Sequence, residues 1–215
     1  MNKQDYLFCQ NARQSVYKGF SECFYLPQNS LYQTIGELII SLDVLESEAS
    51  SLLKKIHSEL ENDENEKKLI IDFSKLFVGP YSLLAPPYGS VYLDGDRKIM
   101  GDSTLNVIEH YREAGLAIND DSYEVPDHIC VELEFMYFLI FKEIEAIQSK
   151  QTDVANQFMN RQPRFFQSHI SDWVFQFIQL VENHAETDFY RNLAAALGIF
   201  ITEEVIEMDL LETAV

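Results

Sequence analysis

The chain has 215 residues, of which 47% are hydrophobic and 13% aromatic. This suits one folded domain and argues against global disorder. The formal net charge of -19 at pH 7 makes a nucleic-acid backbone or an anionic lipid surface an unfavourable partner, and a basic peptide a favourable one. High solubility alone is an equally common reason for such acidity.

No apolar run approaches the roughly 18 residues that a membrane-spanning helix needs. The first residues lack the basic start and apolar stretch of a signal peptide, so we expect a cytoplasmic protein with no stable membrane insertion. The three cysteines, Cys9, Cys23 and Cys130, are far apart and form no C-x-x-C pair. We interpret them as small, mostly buried hydrophobes rather than as a zinc or redox site.

Apolar residues recur at the roughly 3.6-residue period of an amphipathic helix along most of the chain. Glycines, prolines and capping residues separate the periodic segments. The charged stretch "ELENDENEKK", residues 59–68, is expected to be a turn. In chain order, helices are predicted over residues 5–24, 31–42, 45–60 with a break near 46–48, 69–77, 103–116, 126–149, 152–163, 165–184 and 188–208.

The ends of several predicted helices carry residue types that favour an end. Asn29 or Ser30 is positioned to cap the second helix, and Asp102 or Ser103 to cap the helix over 103–116. Pro163 is expected to end the helix that starts near 152, because proline interrupts a helix interior.

The least helical part of the chain is "VGPYSLLAPPYGSVYLDGDRKIMGDS", residues 78–103. Its two adjacent prolines forbid a continuous helix, and a loop of this length in a compact domain is usually functional or disordered. Tyr81, Tyr88 and Tyr92 argue that it is ordered against other parts of the protein. A strand is suggested only at "SVYL" within this segment. The sequence therefore predicts an all-α, single-domain helical bundle over residues 1–215, with one long ordered loop rich in proline, glycine and tyrosine.

The stretch "YEVPDHICVELEFM", residues 123–136, is chemically the most suggestive. His128 and Glu132 are four residues apart and share a face of a helix, so they could supply two metal ligands. A metal site needs further ligands. Glu109, His110 and His169 are candidates, but nothing in the sequence places them nearby.

A helix start is the alternative explanation for the same stretch. Pro126 suits the first turn, where its missing N–H is no loss, and Asp127 adds negative charge at the positive end of the helix. This alternative leaves His128 unexplained, because a protonated histidine is electrostatically unfavourable there. Hydrolase and phosphate-binding motifs such as G-x-S-x-G, H-E-x-x-H and G-x-x-x-x-G-K-[ST] do not occur. We therefore do not predict an enzyme. A metal-dependent or nucleotide-handling helical enzyme that uses His128 and nearby carboxylates is the second hypothesis.

Several segments together resemble one family. "FSKLF", residues 73–77, matches an aromatic-x-x-Leu-Phe motif, and "APPYGSVYLDGDRKIMGDST" is similar to the loop that follows it in that family. "EVPDHICVELEFM" matches an E-x-P-D-H motif with its helix, and "FFQSHISDWVFQF" is similar to a later helix. The family is that of the TorD/DmsD-type redox-enzyme maturation chaperones, related to the nitrate reductase chaperone NarJ. The motifs span roughly residues 70 to 180.

The resemblance implies an all-helical cytoplasmic chaperone that has no cofactor of its own and is not an enzyme. Such proteins bind precursors of molybdopterin-containing oxidoreductases, often at the twin-arginine leader peptide, and hold them until the cofactor is inserted, before export. The expected partners are therefore an oxidoreductase catalytic subunit and its leader. The sequence does not say which reductase is the client, or whether the leader, the mature subunit or both are bound. The oligomeric state, a monomer or a dimer, and any nucleotide or pterin binding also stay open.

In the family, the two motifs are linked to leader binding, and the loop between them supplies weaker candidates. Ordinary core packing is the alternative for the residues of "FSKLF", because i, i+3, i+4 spacing is that of any buried helix stripe. Carried over residue by residue, the resemblance nominates as peptide-binding positions Phe73, Leu76, Phe77, Tyr88, Ser90, Tyr92, Glu124, Asp127 and His128.

The chemistry of a twin-arginine leader fits this resemblance. Two guanidinium groups precede an apolar, helix-forming stretch, so a binder needs carboxylates for the first part and an apolar groove for the second. The acidity of the chain would also speed its encounter with such a basic segment at low ionic strength.

Overall fold

The structure is a computed structural model, and it describes residues 2–60, 63–79, 82–95, 99–117 and 124–213. Within these ranges the chain forms α-helices, one π-helical segment and no β-strand, so the predicted all-α class is confirmed. None of the described helices combines the length and apolarity that a bilayer crossing requires. The helices are α1 (Lys3–Cys23), α2 (Leu31–Val44), α3 (Ala49–Glu59), α4 (Asp63–Phe73), α5 (Gly89–Leu93), α6 (Asp102–Glu113), α7 (Ile129–Gln148), α8 (Thr152–Ser168), α9 (Ile170–His184) and α10 (Asp188–Thr213), and the π-helical segment is Ser74–Val78.

The chain divides into two compact units, each built from two stretches of sequence. Unit 1 consists of Met1–Ser21 and Tyr88–Trp173, and unit 2 consists of Glu22–Pro87 and Val174–Val215. A single domain over residues 1–215 stays a prediction.

Unit 1 is organised around α7, which packs against α8. The sequence of α7 is apolar around most of its circumference, so the helix is buried on several sides. The ring of Phe135 lies between those of Tyr111 and Phe165, with centroid distances of 4.5 and 4.7 Å. Aromatic rings at these distances and tilts pack favourably. The Tyr111 hydroxyl also donates to the Pro126 carbonyl oxygen at 2.8 Å, which ties this cluster to the segment before α7.

Unit 2 has α3 packed against both α2 and α10. An aromatic cluster fills part of its core, with Phe77 5.6 Å from Tyr190 and 6.1 Å from Phe24 between ring centroids. Asp72 is buried and accepts hydrogen bonds from the Thr187 N–H at 2.8 Å and the Glu186 N–H at 3.1 Å. The Asp72 carboxylate therefore caps the N-terminus of α10, although Asp72 and the start of α10 are far apart in sequence.

The predicted helices on either side of Pro163 differ from the structure. Pro163 lies inside α8, which continues to Ser168, and the predicted helix over 165–184 is divided at His169. Burial of Phe165, just beyond the proline, favours continuing the helix. His169 leaves helical geometry with φ -130° and ψ -87°, and its Nε2 lies 2.9 Å from Asn106 Oδ1.

The predicted charged turn over 59–68 is also wrong in part, because α4 begins at Asp63. Glutamate and lysine are good helix formers, and acidic residues in a first turn favour the helix dipole. Residues 61–62 lie outside the described ranges.

Of the two predicted helix caps, the position of the first is confirmed and the second is replaced by another residue. Ser30 occupies the N-cap of α2 without a side-chain hydrogen bond. At α6, the Asp94 carboxylate accepts from the Ser103 N–H at 3.1 Å and from the Ser103 hydroxyl at 2.7 Å. Gly101 permits this approach, since a Cβ there would lie 2.1 Å from Asp94 Oδ2. A loop carboxylate thus replaces the predicted local cap.

The long loop is interrupted by regular structure. The "SVYL" segment, considered for a strand, is part of the short helix α5. Tyr81, which we expected to help order this loop, lies outside the described residues, as do residues 96–98.

Candidate peptide-binding site

The E-x-P-D-H segment and the start of α5 meet within unit 1, in an arrangement that we call the corner. It consists of Tyr88, Gly89, Ser90, Tyr92, Glu124, Asp127, His128, Glu132 and Trp173. Tyr88 and His128 form an isolated antiparallel bridge, and the Gly89 N–H donates to the Asp127 carbonyl at 2.9 Å. The Ser90 N–H donates to Asp127 Oδ2 at 2.7 Å. Asp127 therefore fixes the first turn of α5, which explains why "SVYL" is helical.

The Asp127 side chain is buried, with 1% of its surface exposed. Its second oxygen, Oδ1, has no hydrogen-bond partner among the described residues, and the same holds for Ser90 Oγ and Glu132 Oε1. Buried oxygens without partners are costly. The interior of the corner is therefore polar.

His128 is the N-cap residue of α7, with extended backbone at φ -70° and ψ 139°. Its Nδ1 accepts a hydrogen bond from the Cys130 N–H at 3.1 Å. Burial lowers the pKa of His128 to about 4, so the ring is neutral at pH 7 with its proton on Nε2. A neutral acceptor suits a helix N-terminus, which resolves the histidine that the sequence left unexplained. The predicted helix start at Pro126 is wrong, because α7 begins at Ile129.

Glu132 is fully buried beneath this cap, and its Oε2 accepts from Trp173 Nε1–H at 3.0 Å. Burial raises the pKa of Glu132 well above its ordinary value; the charge of Asp127 adds to this, and the Trp173 hydrogen bond opposes it. Trp173 in turn stacks on Tyr92, with centroids 5.3 Å apart and planes 17° apart. Gly89 allows this packing, since a Cβ there would lie 2.9 Å from Trp173 Nε1.

The accessible edge of the corner is formed by Glu124, Tyr88 and Tyr92. The Glu124 side chain is 37% exposed, and its Oε2 lies 3.9 Å from His128 Nε2. Burial raises the pKa of Glu124, and the charge of Glu134 raises it further. The pKa of the half-buried Tyr88 is raised by burial and then by Glu124. This edge is therefore electronegative, and it favours a cationic group.

Metal binding at the corner gains no support from the geometry. Across the described part of the chain, no group of three or more histidine, cysteine, aspartate or glutamate side chains is arranged to hold a metal ion. Glu132 is engaged with Trp173, and His128 Nδ1 with the backbone. His110 and His169 lie together elsewhere in unit 1, with ring centroids 5.2 Å apart.

The three nominated residues of "FSKLF" belong to unit 2, whereas the other nominated residues belong to unit 1. Phe73, Leu76 and Phe77 are 8%, 0% and 6% exposed, and Phe73 packs edge-on to Phe77 at 5.2 Å between centroids. The Leu76 carbonyl also accepts from the Ala85 N–H at 3.0 Å, which ties the following loop to the helix. This placement matches the core-packing alternative for all three.

Comparison with known proteins places this architecture in a family. Residues 43–179, more than half of the chain, match the family model described as the nitrate reductase delta subunit. The chain belongs to the nitrate reductase delta subunit family.

Individual proteins are similar to this delta subunit family chain over much of its length. The chaperone protein TorD of Vibrio parahaemolyticus is 26% identical over 157 residues, which cover 73% of this chain and 71% of that protein. The Tat proofreading chaperone DmsD of Salmonella typhimurium is 29% identical over 129 residues, which cover 60% of this chain and 56% of DmsD. The match thus spans little more than half of DmsD. The resemblance to TorD/DmsD-type maturation chaperones is confirmed.

A solved structure shares the fold of this delta subunit family chain. A putative redox enzyme maturation protein from Archaeoglobus fulgidus superposes with a TM-score of 0.55 at 24% identity, over 88% of this chain and 93% of that one. At this identity the similarity shows the fold alone.

Among the residues that sequence reasoning missed are Glu132 and Trp173 in the corner, and Glu134, whose charge acts on Glu124. Glu132 was considered only as a metal ligand, and neither Trp173 nor Glu134 was considered for the site. Trp173 is 41 positions from its partner Glu132, so no local pattern connects them. The one available signal was the tryptophan itself, unique in the chain.

Proposed function

We propose that this protein is a cytoplasmic chaperone that binds the precursor of a molybdopterin-containing oxidoreductase at its twin-arginine leader. It holds the precursor for cofactor insertion before export. Membership of the delta subunit family supports this proposal, as do the relatives named as chaperones, one of them a Tat proofreading chaperone.

The observation that carries the proposal is the acidic edge of the corner. Glu124 is partly exposed, and its pKa is raised by burial and by its carboxylate neighbour Glu134. Two carboxylates that repel each other gain free energy when a guanidinium group lies between them. Tyr88 is half-buried and offers an aromatic ring against which an arginine can also pack. Tyr92, stacked on Trp173, borders the same edge. We therefore propose that Glu124, Tyr88 and Tyr92 contact the leader directly.

The buried nominated residues have a different role in this proposal. Asp127 holds Ser90 and the first turn of α5, while His128 caps α7. Both side chains are less accessible than Glu124, so they position the edge rather than pair with arginine. Phe73, Leu76 and Phe77 support the core of unit 2, from which the loop leading to α5 departs.

Isothermal titration calorimetry with a synthetic twin-arginine leader tests the proposal. Wild-type protein should bind it, and Glu124→Gln should bind roughly tenfold more weakly, the order expected for one charge-assisted hydrogen bond. Glu109→Gln, which neutralises an exposed glutamate of α6 in the same unit, is the matched control and should bind like wild type. Equal affinities for all three proteins would place the leader elsewhere, and no binding at all would contradict the proposed function.

A further inference from the structure

Unit 2 carries an exposed apolar groove, and none of the residues that line it belongs to the corner. It lies along α2 beside α3, has a volume of about 540 Å³, and is lined among others by Tyr32, Gly36, Ile39, Ile40 and His57. We call these five residues the α2 groove. Ile40 is 66% exposed and Tyr32 41%. Apolar surface gathered in a concave region is typical of a binding site, whereas scattered exposed hydrophobes are not.

The groove has a well-defined wall. The His57 ring stacks on Tyr32 at 4.1 Å between centroids with planes 22° apart, and His57 Nε2 lies 3.2 Å from the Tyr32 carbonyl oxygen. A Cβ at Gly36 would lie 3.4 Å from the same His57 nitrogen. The absence of a side chain at Gly36 therefore lets the His57 ring pack against α2.

One end of the groove is acidic. A second depression of about 350 Å³, lined in part by Glu22 and Tyr25, shares Gln33 and Glu37 with the groove, so the two are continuous. Glu37 is exposed and accepts from the neutral Gln33 amide at 2.7 Å, which leaves its charge in place. The lysine that lines the groove is neutralised, because Lys54 pairs with Asp43 at 2.7 Å.

We propose that the α2 groove docks an amphipathic helix of the client's mature chain, with an apolar face and a basic residue at one end. A groove between two helices suits helix-in-groove recognition, and the acidic end complements a basic terminus. A second copy of this chain is disfavoured, because each copy carries a net charge of -19. A client helix exposes its apolar face before the enzyme has folded, and the groove covers that face.

This inference rests on the proposed function only for the identity of the client. The leader's arginines bind at the acidic edge in unit 1, whereas this groove lies in unit 2 and is mainly apolar. The two sites therefore have different determinants, and variants can separate them.

Two synthetic probes test the groove by fluorescence anisotropy. The first is an amphipathic helix-forming peptide with leucines on one face and two lysines at its N-terminus, and the second is a twin-arginine leader. Ile40→Ser should weaken binding of the first peptide roughly tenfold, as expected when a contact isoleucine is lost, and leave leader affinity unchanged. Leu105→Ser, which removes a side chain that is 63% exposed in unit 1, is the control. It should change the affinity for neither peptide.

Charge gives a second, independent readout on the same groove. Glu37→Gln should weaken binding of the first peptide severalfold, and replacing the lysines of that peptide with glutamates should abolish its binding. Unchanged affinity of Ile40→Ser for the first peptide would overturn the proposal. So would an equal loss for the leader, or sedimentation showing a dimer that Ile40→Ser dissolves. Failure of the leader to bind wild type, with the first peptide behaving as expected, would contradict the proposed function and leave the groove standing.

Discussion

At the residue scale, His128 shows how one side chain can cap a helix and also lie next to a surface carboxylate. It accepts the Cys130 N–H through Nδ1, and its Nε2 faces the Glu124 carboxylate at 3.9 Å. Burial keeps the ring neutral by lowering its pKa to about 4. The E-x-P-D-H motif singled out this residue. Its capping role depends on where α7 begins, and the sequence predicted that start at Pro126 instead of Ile129.

The depressed pKa of His128 makes folding stability depend on pH. The unfolded chain takes up the proton near 6.5 and the folded chain near 4, so this contribution is intact above about 6.5 and is lost as the pH falls through about 4. The loss should reach about 3 kcal/mol. Urea unfolding of wild type and His128→Asn at several pH values measures it, since asparagine also caps helices but does not titrate.

The histidine variant should show a shallower decline in stability between pH 6.5 and 4. His169, whose pKa is also lowered to about 4, contributes equally to both proteins and cancels in the comparison. Identical slopes for the two proteins would show that His128 is protonated without cost in the folded state.

Glu132 gives a prediction of the opposite sign. Burial raises its pKa, so its contribution to stability is present below the unfolded pKa near 4.5 and is lost as the pH rises through the higher folded pKa. Glu132→Gln is a neutral isostere whose carbonyl oxygen can still accept from Trp173. It should therefore unfold at a higher urea concentration than wild type at pH 7, with the gap closing toward pH 4. A stability difference that does not close toward pH 4 would show that the pKa of Glu132 is not raised in the folded protein.

These residues explain what the sequence could and could not predict about the site. Glu124, Asp127 and His128 lie within five consecutive residues and belong to a recognisable motif, so the sequence could nominate them. Glu132 and Trp173 acquire their properties from burial and from each other. Such properties arise only when distant segments pack, and no local spacing reports them.

At the element scale, the apolar period located most helices, and tertiary contacts decided where they end. α1, α2, α3 and α10 start within a few residues of the predicted positions, because their stripes are long and regular. Pro163 failed as a stop signal, and the break at His169 had no sequence signal. The start of α6 uses Asp94 from the preceding loop, a contact that periodicity does not encode.

The N-terminus of α10 provides a test of such long-range capping. Asp72→Ala removes the acceptor for the Glu186 and Thr187 N–H groups and for the Thr187 hydroxyl. The free energy of unfolding should fall by about 2 kcal/mol, the upper range for a lost cap with charge-assisted bonds, as measured by urea denaturation.

Asp153→Ala is the matched control for the cap. It removes an exposed acidic residue from the first turn of α8 and should cost only a few tenths of a kcal/mol. Equal losses for the two variants would mean that the Asp72 contacts add nothing beyond a general dipole effect.

At the scale of the whole molecule, the fold class and the family could be predicted because each rests on evidence spread over many residues. Helical periodicity extends along most of the chain, and the family motifs occur in the expected order. The division into two units was not predicted, because each unit combines two stretches distant in sequence. The "FSKLF" core belongs to unit 2 and the corner to unit 1.

The net charge of -19 also acts at this scale. It should attract a basic leader from a distance and make association faster at low ionic strength. Long-range attraction, however, does not select a site. The central claim is local: the edge at Glu124 pairs with the leader's arginines.

A double-mutant cycle on leader binding tests that claim most directly. Calorimetry would give the affinities of wild type and Glu124→Gln for a twin-arginine leader, and for the same peptide with both arginines replaced by glutamine. If Glu124 pairs with the arginines, the two changes should be coupled by at least about 1 kcal/mol. The Glu124→Gln effect should then largely vanish with the glutamine peptide. Additive effects, with coupling near zero, would contradict a direct contact between this carboxylate and the leader.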